Sequence, residues 1–182
     1  MRAFLRSKNK GGRMGDIGSK VKEFVSESDG SIEGNDGRYL VFRLSSELYA
    51  TPLLGVREVV ESYSPKPIPN TPIDFSGVVD IRGEVVGVID LRRRFNQGDE
   101  DSPQKALIVF STDSGPMAGL VDQVEAVITL DEGSIESKAN IGADFKNDCV
   151  IGIGKSEKRL ITLVDLHKVL ESYGVSCKKL TA

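Results

Sequence analysis

An internal duplication constrains the fold of this chain more than any other feature of its sequence. When the two halves are aligned at a constant offset, Val41 and Phe42 fall on Val109 and Phe110. Farther along, after one slip in the alignment, Val88-Ile-Asp-Leu falls on Leu163-Val-Asp-Leu. A longer loop in the second half, supplied by residues 131–148, explains the slip. Two copies of one supersecondary unit are therefore expected.

Each half is predicted to form five short strands followed by a helical turn. Runs rich in Val, Ile and Leu, separated by turn residues, are typical of strands. The predicted strands are 38–44, 47–53, 56–62, 76–81 and 84–90, then 105–111, 116–121, 124–130, 150–154 and 159–164. Five short strands can protect their edges by curling into a barrel. The predicted fold class is therefore mainly all-β, with two small barrels.

Short helices are expected after each repeated (V/I)-D-L triplet. Its aspartate, Asp90 or Asp165, suits a helix N-cap, which explains these carboxylates without assigning them acid–base catalysis. In the second copy an apolar stripe at helical spacing follows, formed by Leu166, Val169, Leu170 and Tyr173. This stripe predicts a helix near the end of the chain.

The composition divides the chain into a leader, a folded region and a tail. Residues 1–37 are rich in Gly, Ser and charged side chains, which predicts a disordered leader. Its basic part is a candidate for contacting an anionic membrane surface or nucleic acid, although a solvated leader is favoured. Residues 38–176 form the predicted domain, with lobes at about 38–97 and 104–165 and possible strand exchange between them. Residues 177–182 are a predicted tail.

Charge and aromatic content argue against several functional classes. The net charge is −3, Trp is absent and aromatic residues make up 6%, whereas nucleic-acid binding favours basic surfaces with exposed aromatics. Phe42, Phe75, Phe95 and Phe110 lie in apolar patterns that predict core positions. No apolar run approaches the ~20 residues that span a bilayer, and no signal peptide is recognised. A cytoplasmic protein is expected.

No motif predicts catalysis, a cofactor or a metal. His167, the sole histidine, aligns with Arg92 of the first half and has no nucleophile signature around it, so a surface position is expected. Cys149 and Cys177 form no metal-binding or redox motif and are predicted to be reduced thiols. Ile151-Gly-Ile-Gly-Lys lacks the rest of a phosphate-binding loop, and its glycines indicate close packing or a bulge.

Alternation along two strands points to an interaction surface. One predicted face carries Val56, Glu58 and Val60, and the opposite face carries Arg57, Val59 and Glu61. In the next strand Val78, Asp80 and Arg82 are predicted to face away from Val79 and Ile81. An arginine beside apolar residues, with a glutamate on another strand, is typical of protein interfaces. An ordinary exposed ion pair is the alternative.

Several sequence blocks, in order over about residues 38–172, resemble those of the CheW family. They are Tyr39-Leu-Val-Phe-Arg-Leu, Tyr49-Ala, Val56-Arg-Glu-Val-Val, Ile68-Pro-Asn-Thr-Pro, Gly77-Val-Val-Asp-Ile-Arg-Gly, Val88-Ile-Asp-Leu-Arg, Gly119-Leu-Val-Asp-Gln-Val and Leu163-Val-Asp-Leu. The resemblance implies two SH3-like five-stranded barrels that share an apolar core. It also implies a non-catalytic adaptor that couples methyl-accepting chemoreceptors to the histidine kinase CheA in membrane-associated arrays.

The resemblance also implies a receptor-binding site. Carried over residue by residue, it includes Val56, Glu58 and Arg82, to which we add Gly77 and Asp80. Kinase contact is expected largely through the second barrel, with no residue assigned. Two alternatives stay open: a CheW-like scaffold of a non-flagellar pathway, such as type IV pilus motility, and, more remotely, a small β-barrel enzyme or nucleic-acid binder.

Two positions depart from the usual family pattern. Asp80 replaces an asparagine, and Gly87 replaces a frequent proline. Asp80 is expected on the same strand face as Arg82, where it would compete with Glu58 for the guanidinium.

Overall fold

The computed structural model describes residues 37–61, 64–97, 106–137, 149–156 and 159–178, with side chains as far as Tyr173 in the last range. The predicted leader, apart from Gly37, and the end of the predicted tail lie outside the described residues. The same holds for positions 138–148 of the predicted long loop and for the Cys177 thiol.

The fold is mainly β, which confirms the predicted class. The strands are β1 Arg38–Leu44, β2 Glu47–Pro52, β3 Val56–Glu61, β4 Phe75–Ile81, β5 Glu84–Asp90, β6 Ala106–Thr112, β7 Gly115–Val121, β8 Gln123–Thr129, β9 Ile135–Ser137, β10 Val150–Ser156 and β11 Arg159–Val164. The helices are α1 Leu91–Arg94, α2 Leu166–Lys178 and a 3₁₀ turn at Glu132–Ser134. Every predicted strand is confirmed, whereas β9 was not predicted.

The strands form two sheets that mix the two halves of the sequence. A five-stranded sheet has the order β3-β6-β7-β5-β4, and a six-stranded sheet has the order β8-β1-β2-β11-β10-β9. The mixing is reciprocal: β1 pairs with β8 and β6 pairs with β3, both antiparallel. Likewise β2 runs parallel to β11, and β7 runs parallel to β5. The first two strands of each half therefore complete a sheet with later strands of the other half.

Residue pairing across these shared edges repeats with pseudo-twofold symmetry. Phe42 lies opposite Val124, and its counterpart Phe110 lies opposite Val56. A register shift follows at the same point in both ladders, between Val41 and Phe42 in one and between Val56 and Glu58 in the other. The duplication inferred from sequence is thus reproduced at the level of individual strand registers.

A close backbone crossing is also repeated. A Cβ on Gly77 would lie 2.1 Å from the carbonyl oxygen of Lys66, and one on Gly152 would lie 2.4 Å from that of Glu136. Both glycines stand at a register shift, which confirms the bulge interpretation. Lys66 forms an isolated bridge to Val78, while Glu136 belongs to β9 and pairs with β10. Strand β9 is therefore the second-half counterpart of the Lys66 bridge.

Three apolar clusters form the core of the protein. Each sheet curls around its own cluster, which is consistent with the two SH3-like barrels implied by the family resemblance. The third cluster lies between the sheets, where Phe42 and Phe110 are buried and Phe75 and Phe95 are partly buried. Strands β1 and β6 are buried on both faces, which explains their nearly continuous apolar sequences.

The two N-cap predictions are confirmed. The Asp90 carboxylate accepts hydrogen bonds from the backbone N–H groups of Arg92 at 2.9 Å and Arg93 at 3.3 Å. The Asp165 carboxylate accepts one from Lys168 at 3.1 Å. Helix α2 then buries its apolar stripe in the central cluster. None of the helices in the described ranges has the length and apolar character needed to cross a bilayer.

Candidate partner-binding site

Two ion pairs connect the edge strand β3 to the β4–β5 hairpin, one at the start of β5 and one at the turn. Arg57 donates a hydrogen bond to the Glu84 carboxylate, and Arg82 Nη2 lies 3.3 Å from Glu58 Oε2. Strands β3 and β4 are the two edges of the five-stranded sheet, so these contacts bridge its open side. We call Arg57, Glu58, Arg82 and Glu84 the ion-pair surface.

Glu58 is the buried member of this surface, with only 6% of the residue exposed. It lies opposite Val109, whose side chain packs inside the five-stranded sheet. In the other half the equivalent strand position, opposite Val41, is Ala126. Because the same fold accepts alanine at this position, folding alone does not require a buried carboxylate here. A buried charge is costly without a partner, and Arg82 is that partner.

Arg82 does not lie on a strand, so its predicted place on the β4 face was wrong. It occupies the two-residue turn with Gly83, and both residues have positive φ angles, 55° and 86°. This combination is characteristic of a type I′ hairpin turn. The turn carries the guanidinium away from the sheet, and 68% of the Arg82 side chain is exposed.

Asp80 takes part in the turn rather than pairing with the guanidinium. Its Oδ1 accepts a hydrogen bond of 2.7 Å from the backbone N–H of Gly83. The expected shared strand face with Arg82 is therefore wrong, and the expected competition with Glu58 is replaced by a hydrogen bond to the backbone. Val85, opposite Asp80 in the hairpin, is 64% exposed and adds an apolar contact area beside the charges.

Val56 lies beneath the surface, which corrects the predicted alternation along β3. The register shift between Val56 and Glu58 turns Val56 into the central cluster, where Val59 also packs. Val60 instead packs inside the five-stranded sheet, on the side that Glu58 shares. Simple alternation had placed Val56 with Glu58 and Val60. Val56 can thus support the position of Glu58, and its direct role in binding stays a prediction.

Two glycines near the site serve close packing. Gly77 is buried beneath the backbone of Lys66 and allows the segment at Lys66 to pass close over β4. It therefore offers no exposed surface to a partner. A Cβ on Gly87 would lie 2.6 Å from the Met117 sulfur, so a larger residue at this departure from the family pattern would require that flexible side chain to shift. Any role of Gly77 in receptor binding stays a prediction.

The second sheet carries an ion pair at the position equivalent to Arg57–Glu84, but with the charges exchanged. There Glu125 and Arg159 approach to 3.9 Å, and Arg43 also contacts Glu125. Across Arg57–Glu84, the hydrogen bond lowers the pKa of the Glu84 carboxyl and raises that of Arg57. One of the two bridging pairs is thus repeated with opposite polarity. The other pair, Glu58–Arg82, is not repeated, because the residue equivalent to Glu58 is Ala126.

Sequence reasoning missed a buried ion pair at the junction of the two sheets. Arg92 Nε lies 2.6 Å from Asp122 Oδ1, as an ion pair rather than an aligned hydrogen bond. The backbone N–H of Ser45 donates to Asp122 Oδ2 at 2.6 Å. The available signal was an acid inside the apolar Gly119-Leu-Val-Asp-Gln-Val block. These contacts join α1, the β1–β2 turn and the β7–β8 connection.

The remaining candidate residues have structural contacts. His167 Nε2 lies 3.2 Å from the carbonyl oxygen of Ser111, and Nδ1 lies 3.7 Å from Glu171. The ring packs edge-on against Phe110 and 42% of the side chain is exposed, which agrees with the predicted surface position. The part of the chain that the structure describes contains no group of three or more His, Cys, Asp or Glu side chains that could hold a metal ion.

Comparisons with known proteins agree with this architecture. The family model for the CheW-like domain matches residues 38–174. The chain is 31% identical over 136 residues to the chemotaxis protein CheW of Bacillus subtilis, covering 74% of this chain and 86% of that protein. It is 30% identical over 149 residues to CheW of Klebsiella aerogenes, covering 81% of this chain and 89% of that protein.

A solved structure gives the same result. The crystal structure of the scaffolding protein TtCheW from Thermoanaerobacter tengcongensis superposes with a TM-score of 0.67 at 32% sequence identity. The match covers 76% of this chain and 95% of that one. With its duplicated, strand-exchanged sheets and a family match across both, this chain belongs to the CheW family.

Proposed function

We propose that this protein is a non-catalytic chemotaxis adaptor that couples methyl-accepting chemoreceptors to a CheA-type histidine kinase. It acts in the cytoplasm, on arrays at the membrane. The ion-pair surface binds the receptor, and the six-stranded sheet supplies most of the kinase contact. Family membership and the names of the related proteins support the chemotaxis role.

One observation carries the receptor assignment: a buried carboxylate, Glu58, lies under the exposed guanidinium of Arg82. Arginines anchored at one end and exposed at the other are suited to interface centres, because little side-chain freedom is lost on binding. The equivalent strand position in the other half holds Ala126, so the pair is specific to one sheet. Val85 supplies apolar area next to it.

The coupling mechanism follows from the separation of the two surfaces. The sheets share the central apolar cluster and the buried Arg92–Asp122 pair, so they form a joined scaffold. A receptor bound at one sheet and a kinase bound at the other are then held at a fixed spacing. A conformational change in one partner reaches the other only when both bind the same adaptor molecule.

The test is Arg82→Glu, measured by pull-down with the soluble cytoplasmic fragment of a chemoreceptor from the same genome. The variant places a carboxylate beside Glu58 and reverses the exposed charge, so receptor binding should be lost. The free energy of unfolding should fall, because Glu58 loses its partner. Binding to the kinase regulatory domain and the circular-dichroism spectrum of the folded protein should not change, because Arg82 lies in an exposed turn.

The matched control is Arg159→Glu, in the six-stranded sheet. Its side chain is exposed to nearly the same extent, 67%, and it also pairs with a glutamate. Receptor binding should survive this change. Unchanged receptor binding in Arg82→Glu, equal loss in both variants, or a molten spectrum would each overturn the assignment.

A further inference from the structure

The turn that carries Arg82 has a backbone conformation that arginine rarely adopts. Type I′ turns need positive φ at both central positions, and asparagine or glycine is strongly preferred at the first. Here that position is Arg82, with φ of 55°. A bulky residue in the left-handed region is strained and persists only where its surroundings enforce it. A functional arginine at this position therefore needs local support.

We propose that Asp80 is a positioning residue that holds the turn in the geometry in which Arg82 meets its partner. Its Oδ1 accepts a hydrogen bond of 2.7 Å from the Gly83 N–H, the residue directly after Arg82. The Asp80 side chain is exposed and its backbone lies in β4, so it ties the strand to the turn from outside. This inference rests on the proposed receptor-binding role of Arg82.

Two side chains hold the turn, one through its backbone and one through the Arg82 guanidinium. The side chain of Asp80 fixes the backbone after Arg82, and Glu58 receives the guanidinium at 3.3 Å. With the turn fixed, the exposed guanidinium is presented in one orientation before binding. Without the Asp80 acceptor, the strained turn is free to relax to other conformations, and the partner must then reorder it on binding.

The experiment measures affinity for the soluble chemoreceptor cytoplasmic fragment by calorimetry, using Asp80→Ala, Asp80→Asn, Arg82→Ala and the double variant Asp80→Ala/Arg82→Ala. Asp80→Ala should weaken binding about three- to tenfold, the range that a typical net hydrogen bond supplies. Asp80→Asn keeps a side-chain oxygen acceptor and removes the charge, so it should bind like the wild type. In the double variant the loss should not exceed that of Arg82→Ala alone.

A second readout follows the turn itself. Exchange of the Gly83 amide hydrogen should be faster in Asp80→Ala and unchanged in Asp80→Asn, because only the former loses the acceptor. The control is Asp131→Ala, an exposed acid of the six-stranded sheet region whose side chain makes no capping hydrogen bond. It should change neither affinity nor exchange at Gly83.

The outcomes separate this inference from the proposed function. If Arg82→Ala binds the receptor fragment like the wild type, the receptor assignment fails and the positioning role fails with it. If Arg82→Ala weakens binding and Asp80→Ala does not, the positioning role alone is refuted. Equal losses in Asp80→Ala and Asp80→Asn, or additive losses in the double variant, would show that charge or a separate contact matters rather than the turn.

Discussion

Removing the buried acid Asp122 should destabilise this protein more than any exposed charge change. In Asp122→Ala, Arg92 would keep a cation in the junction between the sheets without its partner, which now lies 2.6 Å away. The Ser45 N–H would also lose its acceptor. Both charged side chains are about nine-tenths buried, with 10% and 8% exposed. Water therefore replaces little of what is lost.

The expected magnitude follows from this burial. Breaking one side of a buried ion pair typically costs about 3–5 kcal/mol, because an uncompensated charge remains. The Ser45 hydrogen bond involves the same carboxylate, so its contribution is not simply added. We therefore expect Asp122→Ala to lower the free energy of unfolding by about 3–5 kcal/mol. For a chain of this size that corresponds to a melting temperature lower by about 6–20 °C.

Urea unfolding followed by circular dichroism measures the effect. Asp122→Asn keeps an acceptor for Ser45 and should lose less than Asp122→Ala. Arg92→Met/Asp122→Ala removes both charges and should cost less than the sum of the single variants, since no unpaired cation remains. The control is Lys155→Ala, which breaks an exposed 2.9 Å pair with Glu136 worth about 0.2–1 kcal/mol.

A loss of stability in Asp122→Ala no larger than that in Lys155→Ala would contradict a stabilising role for the buried pair. That role would also be contradicted if the double variant were as unstable as the sum of its parts, because the two side chains would then act independently. A changed slope of the urea transition would mean that the variant altered the unfolded or native compactness, and the comparison would then be made by melting temperature.

Two further perturbations test other parts of the fold. Gly77→Ala should cost about 2–4 kcal/mol in urea unfolding, because φ is +127° and the new Cβ would lie 2.1 Å from the Lys66 carbonyl oxygen. Gly133→Ala, where a Cβ would meet nothing within 4 Å, is the control, and equal losses would contradict the crossing. Burial and the hydrogen bond to Asp74 raise the pKa of Tyr173 above its ordinary value near 10. The stabilisation from its neutral phenol is complete below pH ~10 and is lost as the pH rises further. Tyr173→Phe should therefore reduce the decrease of the unfolding free energy at alkaline pH. An unchanged dependence of the unfolding free energy on pH would count against this contact.

The sequence was sufficient to predict every principal strand and both N-caps, because these depend on local composition and on the repeated Asp90 and Asp165 triplets. It also predicted that Glu58 and Arg82 belong to one surface. Strand β9 was missed because Ile135–Ser137 is short and because its pairing with β10 depends on the close backbone approach that Gly152 allows. That pairing is a tertiary contact, which local composition does not encode.

The errors near the site have one cause each. Alternation failed at Val56 because a register shift inserts a residue before Glu58, and a two-residue period cannot reveal where a bulge falls. The position of Arg82 was misjudged because arginine is not a characteristic type I′ turn residue. The role of Asp122 was missed because its partner, Arg92, comes from a distant element that only the tertiary fold brings close.

The reciprocal strand pairing has a consequence for how the chain folds. Tyr49 of β2 pairs with Thr162 of β11, so β2 cannot complete its pairing until β11, far later in the chain, is available. Such pairings give a high contact order, which slows folding because distant segments must meet before they are stabilised. During synthesis, the outer edges of the β1–β2 hairpin remain open until β8 and β11 emerge. Folding is therefore completed late, and the nascent N-terminal hairpin is the segment most exposed to non-native strand pairing with other chains.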